Sequence, residues 1–131
     1  MQSPLVKDDE TPEQRRKRAL HERAIVAITL RNNLQNRAED LLREIQRLEA
    51  KSKIARGRGN RAESEQYLRQ KRHYEALLPE AEAALARAEA AAEQVKAMVK
   101  REEEYVRQKA AEIRALKAKR EFLIVPPPGG G

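Results

Sequence analysis

The sequence has no cysteine and no tryptophan, and its only aromatic residues are three tyrosines and one phenylalanine. The absence of cysteine excludes disulfides, thiolate metal sites and cysteine nucleophiles. The scarcity of aromatic groups argues against a deep substrate pocket, because such pockets are usually lined by apolar and aromatic side chains. Glycine is scarce as well. Apart from the last three residues, it occurs only at Gly57 and Gly59.

Long apolar runs are also missing. The most apolar stretch, Ala24–Leu30, spans seven residues, whereas a membrane-spanning helix needs about 20. The basic residues at positions 15–18 are followed by polar residues at positions 21–23, where a signal peptide would have its apolar region. We therefore expect a cytoplasmic protein, either free or peripheral at the inner face of the membrane.

Charged residues dominate what is present. The 131 residues are 37% charged and 40% hydrophobic, and the abundance of Ala, Glu, Arg, Lys and Leu is typical of coiled coils and long helices. Thr11, Pro12 and Gln14 form a helix-start signal, so the first helix is predicted to run over residues 12–55. Its apolar and small residues alternate at spacings of four and three, which is a heptad seam. The seam comprises Leu20, Ala24, Ala27, Arg31, Leu34, Ala38, Leu41, Ile45, Leu48, Ser52 and Ala55.

Gly57 and Gly59 interrupt this pattern. Because glycine readily adopts the left-handed conformation that ends helices, we interpret residues 56–60 as a turn. Asn60, followed three residues later by Glu63, predicts the cap of a second helix over residues 61–121. The predicted fold is all-α: a long antiparallel two-helix coiled-coil hairpin (residues 12–123) with disordered termini. These termini are a polar lead at residues 1–11 and a Pro/Gly tail at residues 124–131.

The second helix carries a seam of the same spacing. Its members are Tyr67, Lys71, Tyr74, Leu78, Ala81, Leu85, Ala88, Ala92, Val95, Val99, Glu102, Val106, Lys109, Ile113, Leu116 and Arg120. Pro79 lies within this helix and lacks a backbone N–H, so we expect a bend near Leu78. With the turn near Arg58, residue i of the first helix faces a residue numbered about 117 − i in the second. The basic residues 15–18 then face Glu102–Glu104.

Nothing in the sequence predicts catalysis. Gly57-x-Gly59 has no strand before it, as a phosphate-binding loop would have. The hairpin register separates His21 from His73, so we expect no shared metal site. Paired carboxylates such as those at positions 39 and 40 lie on an open helix, without the cleft that general acid–base catalysis uses. We therefore expect a non-enzymatic protein without a cofactor.

Basic residues near the turn form the first candidate binding site. Positions 50–62 contain five basic residues and no acidic residue. These five residues, the basic tip, are Lys51, Lys53, Arg56, Arg58 and Arg61. Their charge suits an anionic membrane surface and also the phosphates of nucleic acid. Nucleic acid is the less favoured partner, because no aromatic platform or recognised nucleic-acid fold accompanies the charge.

An apolar face beyond Glu104, where the first helix offers no partner, is the second candidate site. We expect another molecule to cover it, and we interpret it as the surface for self-association into a homo-oligomer or polymer. The predicted oligomer contacts are Val106, Ile113, Leu116, Leu123 and Ile124. Alternatively, Phe122–Pro128 docks to another protein, which would make the chain a coiled-coil adaptor or stalk subunit.

Three segments resemble the phage shock protein A family, which includes the vesicle-inducing protein in plastids. They are AKSKIARGRGNRAE at residues 50–63, Leu68–Arg72, and Lys109–Arg120; the resemblance covers residues 20–123. It implies a stress-response scaffold of the ESCRT-III type, in which hairpins stack side by side into rods or rings on membranes. Residues 1–19 are too charged to match the family's amphipathic N-terminal membrane helix.

Overall fold

Two helices make up the described chain. The structure is a computed structural model that describes residues 9–124, with side chains up to Phe122. Helix α1 is Pro12–Gly57 and helix α2 is Arg61–Ile124. They pack as an antiparallel hairpin, and no strand occurs within residues 9–124. The all-α hairpin prediction is confirmed.

Helix α1 begins where the sequence predicts. The Thr11 backbone N–H donates to Gln14 Oε1 at 3.0 Å, and the Gln14 N–H donates to Thr11 Oγ1 at 3.1 Å. This reciprocal pair is a capping box, and it satisfies two backbone donors that the helix itself cannot pair. Pro12 takes the first helical position, where its missing N–H costs nothing.

Helix α2 begins at Arg61 as predicted, but the C-terminal ends of both helices differ from the prediction. Helix α1 continues through Arg56 and Gly57, and α2 continues past Glu121 to Ile124. Pro79 lies inside an uninterrupted α2, and a bend there stays a prediction. Of the predicted lead at residues 1–11 and tail at residues 124–131, residues 1–8 and 125–131 lie outside the described residues.

Contacts within the chain define two units: Glu22–Val95, and the chain up to His21 together with the chain from Lys96 onward. The first unit contains the tightly packed part of the hairpin. Its buried residues are Ala38, Leu41, Leu48, Ser52, Ala55, Ser64, Ala81, Ala88, Ala92 and Val95. Apart from Ser64, which precedes the second seam by one step, all are members of the predicted seams. Five of the eight buried apolar residues are alanines, so the two helices meet through small side chains.

Candidate anion-binding tip

Backbone hydrogen bonds fix the turn that carries the basic tip. Gly59 has a φ of 80°, and its N–H donates to the Arg56 carbonyl at 3.0 Å. The Asn60 N–H donates to the Ala55 carbonyl at 2.9 Å. This pair of bonds is a Schellman motif, which closes the last turn of a helix around a left-handed residue. Gly57, predicted to share the left-handed role, instead ends α1, and Gly59 alone among the described residues has a positive φ.

Asn60 also starts the next helix. Its Oδ1 accepts the Glu63 backbone N–H at 3.1 Å, and its side-chain amide donates to Glu63 Oε2 at 2.9 Å. One residue therefore completes the end of α1 and caps α2, as the spacing of Asn60 and Glu63 predicts. The connection between the helices is short and defined by hydrogen bonds, and the basic residues around it sit on fixed backbone.

The three arginines of the basic tip are exposed and unneutralised. Arg56 lies in the last turn of α1, Arg58 in the turn, and Arg61 at the first position of α2. All three side chains are exposed, and none makes an ion pair with a described residue. Their charge is therefore available to an anionic partner.

The two lysines of the basic tip have contacts within the chain. Lys53 Nζ lies 3.9 Å from Glu49 Oε1, a loose pair on the surface of α1. Lys51 is half-buried, and its Nζ lies 5.8 Å from the centre of the Tyr67 ring, within cation–π range. The structure thus separates the predicted set into three free arginines and two partly engaged lysines.

Tyr67 and Glu63 border the lysine side of the tip. The Tyr67 hydroxyl donates to Glu63 Oε1 at 3.1 Å. This hydrogen bond, with the charge of the carboxylate, raises the pKa of Tyr67 above its ordinary value, because removing the hydroxyl proton would place two negative charges side by side. Glu63 is thereby held by Asn60 and Tyr67 and makes no ion pair with the three arginines.

The predicted oligomer contacts fall into three groups. Val106 is half-buried and lines a groove with Leu20 and Val99, so α1 partly covers it. Ile113 and Leu116 are 53% and 65% exposed, and every side chain over residues 107–122 is exposed. We call residues 107–122 the free end of α2. Leu123 and Ile124 lie in the last turn of the helix, but their side chains are outside the described residues.

The groove lies between the first turns of α1 and the α2 segment around Glu102. Its volume is about 270 Å³ and its lining consists of Lys17, Leu20, His21, Val99, Glu102, Glu103, Val106 and Arg107. Arg16 Nε lies 3.9 Å from Glu102 Oε1, which agrees with the predicted facing of residues 15–18 and Glu102–Glu104. Arg18 pairs with Glu10 at 3.1 Å as well. Glu102 Oε1 is buried without a hydrogen-bond partner.

An apolar surface that was not predicted from the sequence is exposed on α1. Ile25, Val26 and Leu30 are 65%, 68% and 51% exposed, and Leu42 is 43% exposed. The signal was present, because Ala24–Leu30 is the most apolar stretch of the sequence and a two-helix seam can bury only one side of a helix. Apolar residues off the seam of such a hairpin remain open to solvent or to a partner.

The described residues contain no group of three or more His, Cys, Asp or Glu side chains that could hold a metal ion. Over the same residues, neither helix has a stretch long and apolar enough to cross a membrane. No family model matches the chain, and no curated protein or solved structure matches it.

Proposed function

We propose that this protein is a non-enzymatic coiled-coil scaffold that self-assembles and associates peripherally with anionic membranes through its basic tip. The observation that carries the proposal is the exposure of Arg56, Arg58 and Arg61 on a hydrogen-bonded turn, without acidic partners among the described residues. The resemblance of residues 50–63 to the phage shock protein A family favours the same function, at the inner face of the membrane.

The energetics of such binding are adequate without an inserted segment. A basic side chain close to an anionic lipid surface contributes about 1 kcal/mol. Three free arginines and two adjacent lysines together give reversible binding that depends on anionic lipid and weakens with salt. The tip contains no tryptophan or phenylalanine, so electrostatic attraction dominates and the contact stays at the level of the lipid head groups.

A membrane surface suits the tip better than nucleic acid does. Proteins that bind single strands combine basic grooves with exposed aromatic rings on which bases stack. The nearest ring, Tyr67, is half-buried, with Lys51 over one face and its hydroxyl hydrogen bonded to Glu63, so it is a poor platform for stacking. The three arginines of the tip all lie at positions 56–61, so the tip does not form the extended basic stripe that follows a duplex groove.

Self-assembly is the second part of the proposal. The free end of α2 exposes Ile113 and Leu116 along the continuation of a seam that is covered elsewhere in the hairpin. An isolated helix of this length is marginal in water, and a partner that covers the apolar side chains stabilises it. A scaffold needs such contacts to bring many weakly binding tips to one surface, where their binding energies reinforce each other.

Co-sedimentation tests the membrane proposal. The chain is mixed with vesicles rich in phosphatidylserine, with phosphatidylcholine vesicles and with duplex DNA, each over a series of rising salt concentrations. We expect binding only to the anionic vesicles. The variant Arg56→Glu/Arg58→Glu/Arg61→Glu should lose about 100-fold or more in affinity, given about 1 kcal/mol for each basic contact.

A matched variant controls for net charge. Arg69, Arg72 and Arg87 are exposed on α2 away from the turn, and Arg69→Glu/Arg72→Glu/Arg87→Glu changes the net charge equally. Vesicle binding that falls equally in both variants would contradict a role for the tip. Binding to DNA alone would favour the nucleic-acid interpretation. Binding to neither, together with capture of a protein partner that requires Phe122–Pro128, would favour an adaptor.

A further inference from the structure

The free end of α2 has a chemistry that restricts what can cover it. Residues 107–122 contain six basic residues and two glutamates. Arg114 and Lys117 are exposed beside Ile113 and Leu116, and neither makes an ion pair with a described residue. Two copies of this segment would repel each other if they packed together, because like charges across an interface oppose association. The complementary surface must be apolar at its centre and acidic at its border.

Helix α2 itself provides acidic side chains within the unit Glu22–Val95. Residues 75–93 contain five glutamates and one arginine. Glu75, Glu82 and Glu89 recur at intervals of one heptad, so they share one flank of the helix. Glu82 and Glu89 are exposed and make no ion pair with a described residue.

A contact between the two helices shows which side of α1 lies beside this flank of α2. Lys71 Nζ of α2 lies 3.8 Å from Glu49 Oε2 of α1, and Glu75 follows Lys71 by one helical turn. In α1, Leu42 precedes Glu49 by one heptad and Ile28 precedes it by three, so both share the flank of Glu49. The acidic flank of α2 and the apolar flank of α1 are therefore on the same side of the hairpin.

Two apolar side chains on this side are exposed, and Ile28 between them in the sequence is half-buried. Leu42 is 43% exposed, and Ile25, one turn before Ile28, is 65% exposed. The Ser52–Ser64 contact, with 2.8 Å between the hydroxyl oxygens, fixes the register of the two helices. In this register Ile28 lies opposite the α2 turn that contains Glu89. We call this surface the acidic face. It consists of Ile25, Ile28, Leu42, Glu82 and Glu89.

We infer that the free end of α2 of one copy docks on the acidic face of a second copy. Ile113 and Leu116 contact the exposed Ile25 and the half-buried Ile28, while Arg114 and Lys117 pair with Glu82 and Glu89. The inference rests on the proposed self-assembly and names the two surfaces that meet. Because the two surfaces differ, a pair of copies still has one free end of α2 and one acidic face unoccupied, and further copies can add there. Such a heterologous contact forms open chains unless the rotation between successive copies closes a ring.

Charge reversal on each surface tests this contact. The first variant is Glu82→Lys/Glu89→Lys, and the second is Arg114→Glu/Lys117→Glu. A control variant, Glu65→Lys/Glu80→Lys, changes two exposed glutamates of α2. These two do not belong to the heptad series that contains Glu82 and Glu89. Sedimentation velocity at tens of micromolar measures self-association, and circular dichroism checks that each variant stays helical.

We expect each of the two variants alone to associate about tenfold more weakly than the unmodified chain or worse, and the control to associate normally. Mixing the two variants should restore association, because the intact free end of the first then meets the intact acidic face of the second. The inference would be overturned, with self-assembly left intact, if both variants associate as strongly as the unmodified chain. It would also be overturned if the mixture associates no more strongly than either variant alone. A monomeric unmodified chain would instead contradict self-assembly, and with it this contact.

Discussion

Ser52 and Ser64 join the two helices through a hydrogen bond between their hydroxyl oxygens, which lie 2.8 Å apart. Both residues are buried, with 2% and 3% of their surface exposed. They are the only polar residues among the buried positions of the described chain. A polar pair at one level of an apolar seam favours a single alignment of the helices, because any slip would leave two buried hydroxyls without partners.

Substitutions at this pair should be strongly non-additive. Ser52→Ala alone leaves the Ser64 hydroxyl buried without its partner, and we expect a loss of about 1–3 kcal/mol in the free energy of unfolding. Ser52→Ala/Ser64→Ala replaces both hydroxyls by apolar groups and should cost less than the single change. Urea unfolding of the two single variants and the double variant gives the coupling. Additive losses would contradict a specific hydrogen bond.

The two glycines near the turn should respond in opposite directions to alanine. At Gly59 the φ of 80° is unfavourable for an L side chain, so Gly59→Ala should destabilise the hairpin by about 1–2 kcal/mol. Gly57 is helical and a Cβ there would meet no atom within 4 Å. Gly57→Ala should therefore stabilise it by about 0.5–1 kcal/mol. Equal effects in thermal or urea unfolding would argue against the turn described here.

Two leucines of α1 have the same side chain but differ in burial, so substituting each one shows how much burial contributes to stability. Leu48 is 1% exposed and Leu42 is 43% exposed. We expect Leu48→Ala to reduce the free energy of unfolding by about 2–5 kcal/mol, since it removes buried contacts and leaves a cavity. Leu42→Ala should cost far less in a dilute, monomeric sample. Similar losses at the two positions would indicate a different alignment of α1 on α2.

The raised pKa of Tyr67 depends on Glu63. In a Tyr74→Phe/Tyr105→Phe background, absorbance titration follows Tyr67 alone, and Glu63→Gln should bring its pKa down towards the ordinary value. Because the pKa is raised in the folded state, the stabilisation is present below the unfolded pKa and lost as the pH rises through the folded pKa. Glu65→Gln, which removes a neighbouring carboxylate outside this hydrogen bond, should leave the titration of Tyr67 unchanged.

The seam was predictable because burial in a two-helix hairpin follows one repeating pattern. From Leu20 to Ala55 every predicted seam residue of α1 is buried or half-buried, and in α2 the same holds from Tyr67 to Val106. Even Arg31 and Lys71, polar members of the seam, are half-buried. The first exposed member of the α2 seam is Lys109. In the predicted register its facing position lies before α1 begins at Pro12.

The exact helix ends were less predictable because hydrogen bonds of single residues decide them. The sequence offers Gly57 and Gly59 equally as left-handed residues, yet only Gly59 adopts a positive φ. Gly59 takes the left-handed conformation because Asn60 caps α2, and the Schellman hydrogen bonds that end α1 must close immediately before that cap.

The chemistry of the tip was partly predictable. The basic residue types follow from the sequence, but the sequence does not show that the arginines are free while the lysines contact other residues. Lys51 reaches Tyr67 only because the hairpin brings the two helices together. The exposure of Ile25 and Leu42 was not predicted, because a heptad pattern identifies the residues of the seam and contains no information on apolar residues outside it.

The most direct test of the account measures how close the tip lies to a lipid surface. The chain has no cysteine, so Ala62→Cys and Ala90→Cys each give one labelling site at an exposed alanine of α2, the first beside the turn and the second far from it. Each labelled chain is mixed with phosphatidylserine vesicles that carry a head-group quencher. We predict strong quenching of the label at position 62, weak quenching at position 90, and neither with phosphatidylcholine vesicles. Equal quenching at the two positions, or stronger quenching at position 90, would contradict membrane association through the basic tip.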